Sequence, residues 1–174
     1  MRQEGSHTGA MVFVGVVGVI LFAIFSLRGG SSATPAPPTP TATQTAPLPK
    51  LSDLDSAWVD QTPPAQIAVG AEASITFRFR NTGRAAWTRG TGSEASLAFV
   101  GTAASFDPKM VVNWPAPTTP AIQSEDVVAP NEIATFTFKV RGVTPGIFRV
   151  DVRPAVAAVG PMRDQGVYTE VTVR

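Results

Sequence analysis

The chain has 174 residues, a formal net charge of +1 and no cysteine, and its one histidine is His7. From residue 51 onward eleven Lys/Arg face twelve Asp/Glu, a balance of −1, so no basic face for nucleic acid is expected. Disulfides, thiol chemistry and zinc sites built from Cys and His are excluded, and we expect no cofactor, no metal site and no catalysis.

An apolar run lies near the amino terminus. Residues 10–27, AMVFVGVVGVILFAIFSL, contain no charged side chain. A helix of this length spans about 27 Å, close to the hydrocarbon core of about 30 Å. We predict a transmembrane signal-anchor helix over residues 10–28, after a short cytoplasmic tail at 1–9. The alternative is a cleaved signal peptide with Ser31–Ala33 as the cut, and either reading leaves the rest of the chain outside the cytoplasm.

The next segment, residues 29–53, has the composition of a disordered stalk. Its stretch SSATPAPPTPTATQTAPLPK is built almost wholly from Ser, Thr, Ala and Pro. Prolines deny this stretch the hydrogen bonds of helix and sheet, and they favour an extended polyproline II spacer. The Ser/Thr-Pro mixture fits either an unmodified spacer or one that carries O-linked sugar.

From residue 54 to residue 174 the pattern changes to short alternating runs broken by Pro and Gly. Apolar residues alternate with polar ones in SITFRFRN, ATFTFKVR, IFRVDVR and GVYTEVTVR. This period of two predicts strands with one buried face. Weaker strand candidates are Trp58–Val59, 97–100 and Val127–Val128. About seven short strands without helical periodicity predict an all-β antiparallel sandwich.

The least regular stretch is 102–120, TAASFDPKMVVNWPAPTTP. We expect it to be a long loop between the sheets, and long ordered loops are frequent binding sites. Trp114 lies in this stretch and is the first choice for a recognition residue.

Four segments of the domain resemble a known family. In order along the chain they are AWVDQT at 57–62, FRFRNTGRAAWTRG at 77–90, VVAPNEIATFTFKV at 127–140 and VTPGIFRV at 143–150. The order resembles the Ig-like "four-tryptophan" domain of autophagy cargo receptors, and more closely its bacterial relatives on exported or membrane-anchored proteins. The resemblance covers about residues 55–174. It implies an Ig-like fold and protein or surface interaction, without chemistry.

The residues that match this pattern are expected to be structural. They are Asp60, Thr62, Asn81, Gly83, Trp87, Pro130, Pro145 and Gly146. The usual Pro-Gly turn is Pro130–Asn131 here, which asparagine permits because it tolerates positive φ. Trp87 is expected to fill the core with its indole NH hydrogen-bonded.

Basic residues are densest around this signature. Arg78 and Arg80 are expected on the outer face of one strand, and Arg84 and Arg89 in the turn that follows. One interpretation is contact with an anionic partner, such as lipid headgroups, wall polymer or an acidic protein surface. The other is a solvated sheet face whose arginine stems cover apolar atoms.

Taken together, the segments predict a single-pass bacterial membrane protein that presents one extracytoplasmic Ig-like domain for binding or docking. The expected partners are membrane lipid, through the helix, and an extracytoplasmic protein or envelope polymer. One alternative is a small structural subunit of a larger membrane complex. Another is an exported enzyme accessory domain.

Overall fold

The computed structural model describes residues 47–101 and 107–174. The predicted cytoplasmic tail, the predicted membrane helix and most of the predicted stalk lie outside these ranges. Among the residues described, no helix has the length and apolarity to cross a bilayer.

The described residues form strands and short 3-10 turns, which confirms the all-β prediction. The 3-10 turns are Leu51–Asp53 and Pro108–Met110. The strands are β1 Ser56–Gln61, β2 Ala65–Ile67, β3 Glu72–Asn81, β4 Trp87–Thr88, β5 Ala95–Phe99, β6 Val111–Val112, β7 Val127–Val128, β8 Ile133–Arg141, β9 Gly146–Val156, β10 Gly160–Pro161 and β11 Tyr168–Val173. Within the described ranges, seven of them have three or more residues.

These strands form two main sheets. The first has the order β1-β3-β8-β6, and the second has the order β10-β9-β11-β2 with β5 on the other edge of β9. A small third sheet pairs β4 with β7. Strand β2 runs parallel to β11, and the other described pairings are antiparallel. The first two strands therefore divide between the sheets, β1 in the first and β2 in the second.

Both main sheets contribute to one hydrophobic core. Its fully buried side chains include Ile75, Phe77, Phe79, Phe136 and Val140 from the first sheet and Leu97, Val150, Val152 and Val171 from the second. The alternation predicted for the strands is confirmed, because the intervening residues on β3 and β8 are exposed or half-buried. Two sheets packed on a shared core have the layered arrangement of a β-sandwich.

The side chain of Asn81 ties together one end of the first sheet. Asn81 is fully buried, and its Nδ2 donates to the carbonyl oxygens of Ala85 at 2.9 Å and Val128 at 3.0 Å. Its Oδ1 accepts the backbone NH of Gly83 at 3.0 Å. A Cβ on Gly83 would overlap the backbone carbonyl of Asp53. The signature Asn-x-Gly is therefore a buried, hydrogen-bonded turn that admits only glycine at its third position.

Other signature residues close the same end. Asn131 adopts a φ of +72°, and its NH donates to the carbonyl of Asn81 at 2.7 Å. This confirms the expectation that asparagine after Pro130 takes positive φ. Trp87 is fully buried, as expected, but its indole NH has no hydrogen-bond partner among the described residues. The expected hydrogen bond is therefore wrong for the described residues, since the indole NH is buried without an acceptor there.

The remaining signature residues lie on the first sheet and at the opposite end of the domain. Thr62 extends the pairing of β1 with β3, since its NH donates to the carbonyl of Thr76 at 2.9 Å and its Oγ1 accepts the NH of Thr76 at 3.2 Å. Pro145 and Gly146 lead into β9, where Gly146 is paired with Val173.

Candidate functional site

The predicted basic cluster is largely engaged within the domain. Arg78 forms a two-pronged ion pair with Asp60 on the neighbouring strand, with its Nε 2.7 Å from Oδ1 and its Nη2 on Oδ2. This hydrogen bonding lowers the pKa of Asp60 and raises the pKa of Arg78. Arg80 donates to the carbonyl of Asn131 at 2.6 Å. Both arginines lie on the exposed face of β3, as predicted, and each already has an acceptor.

The two arginines that follow β3 lie in separate places. Arg89 follows β4, and its Nη1 donates to the carbonyl of Ser124 at 3.3 Å. Arg84 is exposed and lines a shallow depression that Leu48 also borders. The structure therefore places Arg78 and Arg80 together on one strand but sets Arg84 and Arg89 on the turns beyond it.

Trp114 packs against the core. Its ring lies 5.4 Å from the ring of Phe99 and 5.5 Å from that of Phe138, measured between centroids. Its indole NH donates to the carbonyl of Lys139 at 2.7 Å. Much of the ring therefore serves to cover the edge of β8. A recognition role for Trp114 stays a prediction.

A different tryptophan is open to solvent. Trp58 lies on β1, and 47% of its surface is exposed. It is paired with the fully buried Phe79, so its side chain starts on the inward side of the first sheet. Because β1 is an edge strand, no further strand among the described residues covers the ring, and the ring lies beside Gln165 and Tyr168, at the seam between β1 and the segment that leads into β11. The alternating sequence pattern predicts on which face of β1 the side chain of Trp58 lies, but it does not predict that β1 is an edge strand.

Trp58 and Tyr168 border a groove of about 360 Å³, which we call the seam groove. Its lining residues are Trp58, Gln61, Gln165, Gly166, Val167 and Tyr168. Tyr168 opens β11 and is 42% exposed. Alternation in GVYTEVTVR puts Tyr168 on the face opposite Val167 and Thr169. The groove itself has no signal in the sequence, because its two aromatic residues are 110 positions apart.

Two glutamines hold the seam groove in shape. Gln165 Oε1 accepts the backbone NH of Trp58 at 2.9 Å, and Gln165 Nε2 donates to the carbonyl oxygen of Ser56 at 3.0 Å and to its Oγ at 3.2 Å. Gln61 Nε2 donates to the carbonyl of Tyr168 at 2.8 Å. These bonds join the edge of the first sheet to the segment that leads into β11. The groove is therefore preformed, because hydrogen bonds between glutamine side chains and main-chain atoms hold both of its walls.

The ring of Tyr168 in the seam groove also contacts Arg149 on the neighbouring strand β9. The guanidinium of Arg149 lies 3.6 Å from the centroid of Tyr168, a cation–π contact. Asp151 orients that guanidinium, since Arg149 Nε lies 2.9 Å from Asp151 Oδ2 and Arg149 Nη2 lies 2.7 Å from Asp151 Oδ1. Hydrogen bonding to Asp151 raises the pKa of Arg149. The covered face of Tyr168 is thus occupied by Arg149, which keeps the ring in a fixed orientation.

The chemistry that these groups offer is non-covalent. The two exposed rings offer apolar area at one place, while the amides of Gln61 and Gln165 are hydrogen-bonded within the domain. Within residues 47–101 and 107–174, no group of three or more His, Cys, Asp or Glu side chains lies close enough together to hold a metal ion.

Comparisons with known proteins identify structural neighbours. No protein-family model matches the chain, and the search of curated proteins finds no match. The chain is similar in structure to the CARDB domain of the PF1109 protein from Pyrococcus furiosus, crystallised in complex with di-metal ions. That match has a TM-score of 0.43 and 13% identity, and it covers 70% of this chain and 94% of that one.

Two further solved structures match the same share of the chain. The solution NMR structure of the same CARDB domain matches with a TM-score of 0.41 and 14% identity, and it is covered over 94% of its length. A β-glucosidase from Listeria innocua in complex with glucose matches with a TM-score of 0.36 and 14% identity, over 70% of this chain and 16% of that one.

Proposed function

We propose that this chain is a non-catalytic binding module that a membrane helix tethers outside the cytoplasm. The seam groove is the observation that carries the proposal. Trp58 and Tyr168 are large aromatic side chains left about half exposed on a rigid β framework. Aromatic residues in such positions are the usual anchors of protein recognition.

The energy that the groove can supply supports this proposal. Covering the exposed part of Trp58 alone would remove on the order of 100 Å² of mostly apolar surface from water, which stabilises a complex by about 2.5 kcal/mol. The hydrogen bonds of Gln165 and Gln61 hold both walls before a partner arrives. A preformed groove loses little conformational entropy on binding, so more of this energy remains as affinity.

The tether completes the proposed role. A helix over residues 10–28 would fix the domain at the membrane, and a stalk over 29–53 would set its reach. Tethering raises the effective concentration of a partner that is itself in the envelope, so a weak site becomes useful. We further propose that the domain is an Ig-like sandwich of the four-tryptophan type, on the motif from Asn81 to Trp87.

The test has a localisation arm and a binding arm. Cell fractionation, followed by protease treatment of intact spheroplasts, should place the full-length chain in the membrane with its carboxy-terminal domain accessible. The purified chain in mild detergent should be retained on isolated cell envelopes. Trp58→Ala should weaken this retention at least about tenfold, as expected for an anchor worth more than about 1.4 kcal/mol.

Two controls make the binding arm specific. Val127→Ala removes an equally exposed apolar side chain elsewhere, and it should leave retention unchanged. The double variant Arg78→Ser/Arg80→Ser should also bind normally, because both guanidinium groups have acceptors within the domain. Normal retention of Trp58→Ala would refute the proposed role of the groove. Co-purification in a complex of fixed mass would instead favour a structural subunit.

A further inference from the structure

A second pocket lies on the outer face of the second sheet, away from the seam groove. It has a volume of about 290 Å³ and is open on one side. Its floor includes the small side chains of Ala98 on β5 and Ala155 on β9. These short residues leave a hollow in a sheet face, and Arg153 projects from that floor, since it is paired directly with Ala98.

Arg153 lacks the acceptors that other arginines on the sheet faces have. Arg78, Arg141 and Arg149 each form an ion pair with a carboxylate, and Arg80 donates to a backbone carbonyl, whereas Arg153 forms no ion pair with any described residue. Its Nε is buried and has no hydrogen-bond partner in the described part of the chain. A buried donor without an acceptor destabilises the folded state, and more so when it carries charge. An acceptor that enters the pocket would remove this cost.

Part of the pocket wall is polar. Thr118 and Thr119 belong to a tight turn in which the backbone NH of Ala116 donates to the carbonyl of Thr119 at 3.4 Å and the NH of Thr119 donates to the carbonyl of Ala116 at 3.0 Å. Ser96 on β5 also lines the pocket, and its Oγ donates to the carbonyl of Ala155 at 3.4 Å. Threonine hydroxyl groups can donate to anionic oxygens, so this part of the wall complements the charge of the guanidinium.

From these observations we propose that the pocket binds a small organic oxyanion, a carboxylate or a phosphate carried on an apolar body. Arg153 Nε and one Nη donate to two oxygens of the anion in the two-pronged geometry that guanidinium favours. The apolar body of the ligand packs on Ala98 and Ala155, which an inorganic ion would leave uncovered. This site goes beyond the proposed docking role, because it shares no lining residue with the seam groove.

The pocket can be tested with the full-length chain in detergent micelles, labelled with ¹⁵N-arginine. Three probes are titrated at constant ionic strength: benzoate, its neutral analogue benzamide, and inorganic phosphate. Benzoate should shift the Nε–H signal of Arg153 saturably, with a Kd of the order of 1 mM. Benzamide should produce no saturable shift, and inorganic phosphate should bind more weakly than benzoate.

Variants of Arg153 distinguish two-pronged hydrogen bonding by the guanidinium from the effect of its positive charge alone. In the uniformly ¹⁵N-labelled chain, Arg153→Gln should abolish the saturable benzoate shifts of the backbone amides of Ser96 and Gly160. Arg153→Lys should weaken binding about tenfold, because an ammonium cannot pair two oxygens in this way. Arg80→Gln is the matched control and should bind as the unaltered chain does. Circular dichroism melting verifies that each variant is folded.

Three outcomes would overturn the proposal. A shift that grows linearly with concentration, or that moves all arginines alike, would mean that no built site exists. Benzamide binding as tightly as benzoate would show that the pocket does not require an oxyanion. Equal or tighter binding of inorganic phosphate would show that it does not require an organic body. Trp58→Ala should bind benzoate normally. Failure of the anion-pocket proposal therefore leaves the proposed role of the seam groove standing, and failure of the seam-groove proposal leaves the anion pocket standing.

Discussion

Replacing Asn81 with alanine should be among the most destabilising single substitutions in the domain. The substitution leaves the backbone conformation of the turn accessible, so the loss reports on the side chain. The side chain makes three hydrogen bonds in a fully buried setting. Each bond contributes about 1 kcal/mol net, and the carbonyl and NH groups left behind are buried without partners. We therefore expect the free energy of unfolding to fall by about 3 kcal/mol, which corresponds to a drop in Tm of about 10 °C.

The measurement is urea unfolding of the full-length chain in mild detergent, followed by tryptophan fluorescence, because Trp87 passes from the core to water. Asn131→Gly is the matched control, since it removes an asparagine from the same end of the domain and keeps the positive φ. It should change stability by less than about 0.5 kcal/mol. Asn81→Asp should lose at least as much as Asn81→Ala, because a carboxylate oxygen would face two carbonyls. A loss below about 1 kcal/mol for Asn81→Ala would refute this account.

Three further predictions concern the same framework. Gly83→Ala should lower the free energy of unfolding by more than about 2 kcal/mol, because its Cβ would overlap the backbone of Asp53; urea unfolding measures this, and an unchanged midpoint would contradict it. The pKa of Asp60 is lowered in the folded state by its hydrogen bonds to Arg78, so the pair stabilises the domain above about pH 4 and this contribution disappears as the pH falls further. Asp60→Asn should remove that part of the pH dependence of stability, and an identical pH profile would show that the pair contributes nothing. Trp114→Phe should lower the free energy of unfolding by about 1 kcal/mol, because the indole NH bond to β8 is lost while the tilted and edge-to-face ring contacts are kept; unfolding by circular dichroism tests it, and a larger loss would mean that the phenyl ring does not fit the site.

The strands were predictable because their signal is local. In β3 the alternation of Phe77 and Phe79 with Arg78 and Arg80 fixes the inner and outer faces without knowledge of neighbours. The positive φ of Asn131 was also predictable, since it follows from the turn that this residue occupies. In both cases the relevant interaction is within a few residues.

The functional surfaces were not predictable because they depend on pairings between distant segments. Trp58 is exposed only because β1 is an edge strand, and its groove requires Gln165 from a segment 107 residues away. Arg153 has the same outward position as Arg149 on β9, but its partner across the sheet is Ala98, whereas Arg149 is bonded to Asp151 on its own strand. Trp114 reaches β8 from a stretch whose composition indicates only a loop.

The hydrogen bonds of Gln165 also place the seam groove close to the point where the proposed stalk joins the domain. If the stalk is a tether, tension on it acts first on residues 51–55, where Leu54 is buried and the carbonyl oxygens of Asp53 and Asp55 accept backbone NH groups of residues 82–85. Once these contacts yield, the tension acts on β1 at Ser56 and tends to peel this edge strand from β3. Gln165 fastens both Ser56 and Trp58 at that point. Tension strong enough to break these bonds would dismantle one wall of the groove while the β3–β8 pairing remained intact. Under the proposed tether, tension that reached β1 would therefore open the groove before it unfolded the domain.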